Sequence, residues 1–149
     1  MARILGLDVG DRRVGVAVSD ELGLTAQPVL TLVRKNRRQD LGSLRRLMRK
    51  FRCNQVVVGN PLYMSGDTSP QALKAQALAQ DLQNNTGVSI TLWDERLSTT
   101  EAHRHLDAAG HQPGKRRAVI DQVAAVLILQ SFLDSRPTDE AAREEKAVV

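Results

Sequence analysis

The chain has 149 residues, 42% hydrophobic and 26% charged, with a net charge of +4. That length suits one domain around a single core, and no apolar run approaches the roughly 20 residues of a membrane helix. One cysteine, Cys53, excludes an internal disulfide framework and a Cys-rich metal cluster. The opening Met1-Ala2-Arg3-Ile4-Leu5-Gly6 reads directly into a strand and not a signal peptide, so the expected location is the cytosol.

Two short apolar segments, Ile4–Asp8 and Val14–Ser19, flank the turn-rich Val9-Gly10-Asp11-Arg12-Arg13 and predict a hairpin. Pro28–Val33 makes a third strand. The period then changes: Leu41, Leu44, Leu47, Met48 and Phe51 recur at helical spacing, with Arg45, Arg46, Arg49 and Lys50 on the other side. Gln55–Gly59 is a buried strand by composition, ended by Gly59-Asn60-Pro61, and a loop runs to Gly66-Asp67. Ser69 before Pro70 is a cap with proline at the first helical position, and that helix reaches about Gln83. Val88–Asp94 is the fifth strand. Ser98-Thr99-Thr100-Glu101 fits a capping box for a helix to Ala109. The last helix, Arg117–Leu133, is apolar nearly all round and is expected to be well buried. A charged tail follows over 135–149, leaving a domain over 1–134. The order βββαβαβαα predicts an α/β domain with a mixed five-stranded sheet. Its first three strands are antiparallel, and the later ones run parallel to the first.

The charge is unevenly spread. The body before Asp134 carries 18 bases against 12 acids, and between Arg34 and Arg52 nine bases face the single acid Asp40. Such a stretch can supply the electrostatic footprint of a nucleic-acid binder, or it can be a solvated helix face. With only four aromatics, phosphate contacts are a better source of affinity than base stacking.

The acids fall at telling places. Asp8 ends an apolar strand, Asp94 and Glu95 end the fifth strand, and Asp121 lies in the first turns of the last helix. Ala124 and Ala125, one turn on from Asp121, would let that helix approach the sheet closely. Singly, each acid also fits a turn, a solvated strand end or a helix N-terminus. Together they would gather where parallel strands end, and several carboxylates there suit Mg²⁺ or Mn²⁺. Two such ions about 4 Å apart support phosphodiester cleavage. Asp94 and Glu95 are neighbours, so only one should face the metals. His103 and His105 diverge on a helix and make a poor metal pair. Asp20 fits a turn better than a place near the metals.

Leu7-Asp8-Val9-Gly10 with Arg13-Val14-Gly15-Val16-Ala17-Val18-Ser19-Asp20 resembles the opening of the YqgF/RuvX family. So do Gly59-Asn60-Pro61 with Gly66, the run Asp94-Glu95-Arg96-Leu97-Ser98-Thr99, and Lys115 with Asp121-Gln122-Val123-Ala124-Ala125. The resemblance spans about Arg3 to Leu133 and implies a ribonuclease H-like fold related to the junction resolvase RuvC. It also implies a nuclease that matures the 5′ end of pre-16S rRNA, with resolution of branched DNA as the alternative. The implied acidic triad is Asp8, Glu95 and Asp121, holding Mg²⁺ or Mn²⁺, with two ions expected. Asp94 would then orient Arg96 or cap a turn. Arg13 and Arg96 would hold phosphate near the cut, and Lys115, Arg116 and Arg117 would grip the backbone farther along. One departure stands out. In the resolvase the second acid ends the fourth strand, whereas here that strand ends in Gly59 and the acid follows the fifth.

The partners implied are pre-16S rRNA or branched DNA and possible ribosomal particles, with no membrane; the chain would work as a monomer or a homodimer. A resolvase would need a symmetric dimer to cut two strands. Asp8-Val9-Gly10 with Gly15 also resembles the first phosphate loop of the actin and sugar-kinase group. Those proteins bind nucleotide between two such domains, and a second is not expected here. A non-cleaving factor that escorts rRNA is the remaining rival.

Overall fold

The computed structural model describes residues 2–97 and 114–136, with residues 114–118 traced as backbone only. Its strands are β1 (Arg3–Val9), β2 (Arg13–Ser19), β3 (Ala26–Val33), β4 (Cys53–Asn60) and β5 (Ser89–Asp94). The helices are α1 (Arg37–Lys50), α2 (Pro70–Thr86) and α3 (Gly114–Ser135), and a 3₁₀ turn over Glu95–Leu97 follows β5. The sheet order is β3-β2-β1-β4-β5. β1 pairs antiparallel with β2 and β2 with β3, while β4 runs parallel to both β1 and β5. This is the mixed sheet predicted from the element order. The helix predicted over Ser98–Ala109 lies outside the described residues, as do His103, His105, His111 and the tail beyond Arg136.

β1 is the central strand, and both of its faces are covered. Leu5, Leu7 and Val9 join Val14, Val16 and Val18 of β2 and Val56 and Val58 of β4 against one helical layer. That layer is built from Leu41, Leu44, Leu47 and Met48 of α1 and Ala75, Leu78, Ala79 and Leu82 of α2. The alternate positions, Ile4, Ala17 and Val57, face Ala125, Ile128, Leu129 and Leu133 of α3. A strand buried on both faces needs apolar residues at successive positions, which is why these segments read as unbroken apolar runs.

Three local features differ from the sequence reading. β3 starts at Ala26, before Pro28. The ladder shifts register between Val16 and Ala17, where Pro28 pairs, and an edge strand tolerates a residue without an N–H. α2 runs on to Thr86, and Gly87 at φ 71° supplies the left-handed cap, with its N–H donating to the Gln83 carbonyl. α3 begins at Gly114 and is not buried all round: Val119 and Val123 are exposed, because only the face bearing Ala124, Ala125, Ile128 and Leu129 meets the sheet.

α3 lies close to the sheet because glycines lie beneath it. A Cβ at Gly6 would fall 2.7 Å from Leu129 Cβ, and one at Gly15 would fall 2.0 Å from the Asp121 carbonyl oxygen. At its other end, α3 is fixed to β5 by Trp93. The indole N–H donates to Ser131 Oγ at 3.0 Å, and the ring meets Phe132 edge-on, centroids 5.5 Å apart.

Candidate active site

Alternation along β1 puts Ile4, Gly6 and Asp8 on the α3 face. Asp8 pairs in register with Gly15 of β2. On its other side the β1–β4 ladder ends at Leu7 with Val58, so Gly59 is the next residue beside Asp8. At this level of the sheet the α3 face therefore reads Gly15, Asp8, Gly59, with neighbouring strands about 4.8 Å apart. Over Gly15 stands Asp121, whose Cβ lies 3.2 Å from where a Gly15 Cβ would be. Over Gly59 stands Glu95, its Oε1 2.5 Å from the corresponding point. Three acids from β1, the turn after β5 and α3 thus stand at one level of the sheet, beside two glycines.

This placement accounts for the migrated acid. Glu95 begins the 3₁₀ turn after β5, but its carboxylate reaches back over Gly59. It occupies the space that a side chain at the end of β4 would fill. Asp8 and Glu95 are buried, 5% and 3% exposed, and Asp121 is partly exposed. Buried carboxylates are costly unless cations or hydrogen bonds compensate them. Arg13 does this for Asp121: its Nε donates to Oδ2 at 2.9 Å. As placed, no three Asp, Glu, His or Cys side chains among the described residues close into a metal-binding set.

The expected phosphate-binding bases have occupations of their own. Arg13 is committed to Asp121, 108 positions away in sequence. Arg96 donates through Nε and Nη2 to Asp94, Nη2 to Oδ2 at 2.6 Å, and through Nη1 to the Met64 carbonyl at 3.2 Å. Asp94 also accepts from the Arg96 backbone N–H at 3.0 Å, so it caps the turn and orients Arg96. Lys115, Arg116 and Arg117 fall in the first turn of α3, where only the backbone is described. Asp20 accepts from the N–H groups of Leu24 and Thr25 and belongs to a turn; the first of these bonds is the main cause of its lowered pKa. Burial pushes the Cys53 thiol up to about 11, which makes it a poor thiolate ligand.

Asp94, Arg96 and Met64 form a clasp that holds the 61–68 loop beside the acids. The Arg96 side-chain hydrogen bonds hold the Asp94 carboxyl below its ordinary value of 3.8. A carboxylate depressed in the folded state contributes stability that is present above its unfolded pKa. That contribution is lost as pH falls through the lower folded value. Acidification below 3.8 is therefore expected to open the clasp, read as faster pepsin cleavage within 61–68 at about pH 3 than at pH 4.5. Arg96→Gln should give the same loop cleavage by a neutral protease at pH 7, and equal protection in that variant would show that the clasp does not hold the loop.

A depression of about 220 Å³ opens beside the acids, lined by Gly10, Asp11, Arg12, Arg13 and Asp121. The model of the family described as "RuvX: Holliday junction resolvase" matches residues 2–135. The chain belongs to the RuvX family. This RuvX chain is 46% identical over 133 residues to a protein of Syntrophus aciditrophicus named "Putative pre-16S rRNA nuclease", covering 89% of each. A protein of the same name from Koribacter versatilis is 45% identical over 96% of the chain and 92% of its own length. Among solved structures, Thermus thermophilus RuvC bound to a Holliday junction substrate superposes with a TM-score of 0.56. It is 14% identical and covers 90% of the RuvX chain and 95% of its own. The fowlpox virus Holliday junction resolvase gives 0.52 at 13% identity, covering 90% and 99%. The fold is thus ribonuclease H-like, of the resolvase kind.

Proposed function

We propose that this RuvX protein is a divalent-metal-dependent endonuclease that cuts phosphodiester bonds in 5′ maturation of pre-16S rRNA. The observation that carries this reading is the placement of Asp8 in register with Gly15, with Asp121 over Gly15 and Glu95 over Gly59 at one sheet end. The names of relatives at about 45% identity favour precursor rRNA as the substrate. The donor set is all hard carboxylate oxygen, which fits Mg²⁺ or Mn²⁺ and not a soft metal. Asp8 sits between the other two and would be shared, with Glu95 and Asp121 completing one side each.

A bound divalent ion would supply an activated water and a stabilised leaving oxygen. The protein's own groups do the rest. Arg13 balances the charge of Asp121, and its guanidinium lies at the rim where a phosphate would approach. Arg96 tensions the 61–68 loop, whose backbone would border the substrate. Lys115, Arg116 and Arg117, entering α3 ahead of Asp121, would grip the backbone beyond the cut. No described helix is long and apolar enough to cross a membrane; the proposed rRNA substrate, free or in a ribosomal particle, would be met in the cytoplasm.

The family description and the resolvase fold support a second reading, cleavage of branched DNA by a homodimer. Single-turnover cleavage of a pre-16S 5′ leader and a four-way DNA junction, each with Mg²⁺, Mn²⁺ and EDTA, tests both. Metal-dependent cutting of the RNA alone is the expected result. Paired symmetric nicks in the junction alone would replace it with the resolvase, and cutting of neither would leave a non-cleaving rRNA-binding factor.

A further inference from the structure

The bases of this chain divide sharply. Arg3, Arg13, Arg34, Arg37, Lys74 and Arg96 each pair with a carboxylate. Among the residues whose side chains are described, nine bases pair with none, and four of these, Lys35, Arg38, Arg45 and Arg46, are exposed and lie together. They line one cleft of about 850 Å³ between the edge strand β3 and α1. Its one acid, Asp40, is buried and already answered by Arg34 Nε at 3.4 Å and the Lys35 N–H at 3.0 Å. Gly42 stands one turn after Arg38 on the same helix face, and a Cβ there would meet nothing nearer than Arg46 Nη1 at 4.0 Å. The floor is therefore open. Arg38 and Arg45 are two turns apart, roughly 10 Å along the helix, enough for about three phosphates of a duplex strand.

The cleft is connected to the acids. It shares Lys35, Asn36 and Asp40 with a second depression of about 590 Å³, which extends to Asp11. Asp11 in turn lines the depression beside Asp121. The acids on this path are neutralised one by one: Asp11 by Lys74, Asp81 by Arg37 and Asp40 by Arg34. A polyanion leaving the acids over the β1–β2 turn meets the exposed Arg12, passes these neutralised acids and reaches the unpaired cations of the cleft beyond them.

We propose that the cleft between β3 and α1 is a second binding site for nucleic-acid backbone, engaging phosphates several nucleotides away from the bond that is cut. The proposal rests on the nuclease reading for the identity of the polyanion. An acidic protein segment would also suit the charge, but the continuous path to Asp121 favours the polymer that the acids would act on.

The test is fluorescence anisotropy of a labelled pre-16S leader RNA in EDTA, titrated across salt concentrations, with the parent and an Arg38→Ser/Arg45→Ser/Arg46→Ser variant. Arg136→Ser serves as the control. All three cleft side chains are exposed, so the variant should fold with a melting temperature within a few degrees of the parent's, serine being the slightly poorer helix former. Loss of three phosphate contacts should weaken binding about tenfold or more at ~0.1 M salt and reduce the slope of log K against log [salt] by about 2 to 3. Gly42→Leu, which fills the floor without changing charge, should also weaken binding. An unchanged slope in the triple variant overturns the proposal, as does a parent that binds no RNA. If the slope falls but no substrate is cut under any metal, the cleft stands and the nuclease reading fails. If cutting depends on Asp8 while the slope is unchanged, the nuclease reading stands and the cleft fails.

Discussion

Asp8→Asn should abolish cleavage, lowering the single-turnover rate by a factor of about 10³ or more, roughly 4 kcal/mol in the barrier. Asparagine keeps the shape of the side chain and removes its negative charge, the property a hard divalent ion requires. Asp8 is the central member of the group, in register with Gly15 and beside Gly59. Neither Glu95 nor Asp121 can take its place without moving off the glycine it covers. The side chain is 5% exposed, so it contributes little to the surface that meets nucleic acid. RNA affinity in EDTA is therefore expected to stay within about threefold of the parent, or ~0.6 kcal/mol. A variant that cuts as fast as the parent would remove the proposed site altogether.

Gly15→Ala should be the most damaging single methyl group at any glycine among the described residues. Its Cβ would fall 2.0 Å from the Asp121 carbonyl oxygen and 2.5 Å from the carbonyl carbon. Both are helix backbone, so no rotamer change can relieve the clash. α3 would have to lift from β2, and Leu129, seated on Gly6, resists that movement. Overpacking of this kind costs about 1–3 kcal/mol or more, which lowers the melting temperature of a domain this size by roughly 3–10 °C. The lift also displaces Asp121, and a shift of about 1 Å in a reacting geometry is worth about 100-fold in rate. Gly42→Ala is the counterpart. It lies in the interior of α1 with open space around it and should stabilise by up to ~1 kcal/mol. Equal melting temperatures for the two variants would mean that α3 is not held against the sheet at Gly15.

Much of this arrangement was legible in the sequence, because it follows from local chemistry. Unbroken runs such as Gly15–Val18 and Val56–Val58 signal strands covered on both faces, and Ser69-Pro70 signals a helix start. Ala124 and Ala125 signalled a close helix approach, and the glycines that receive it complete the picture. The relation of Glu95 to Gly59 was not legible. It depends on a 3₁₀ turn that breaks the alternation after Asp94 and on a β4–β5 register that pairs Gly59 with Trp93. Asp94 as a partner of Arg96 was legible, but the Asp121 partner of Arg13 and the Met64 carbonyl beside Arg96 were hidden for a similar reason. A guanidinium can reach many acids or carbonyls, and only the tertiary fold chooses Asp121 and Met64 for them. The basic helix face reads equally as solvated or as binding in the sequence, which does not show that β3 walls part of it into a cleft.

The order in which the acids occur along the chain has a consequence during synthesis. Asp8 and Glu95 leave the ribosome before Asp121, and Asp121 arrives on the helix whose Leu129 and Ile128 also close the α3 face of the core. A nascent chain therefore holds two of its three acids while one face of the sheet is still bare. On the proposed site, competence to cut and completion of the core come in the same step, because both wait for α3.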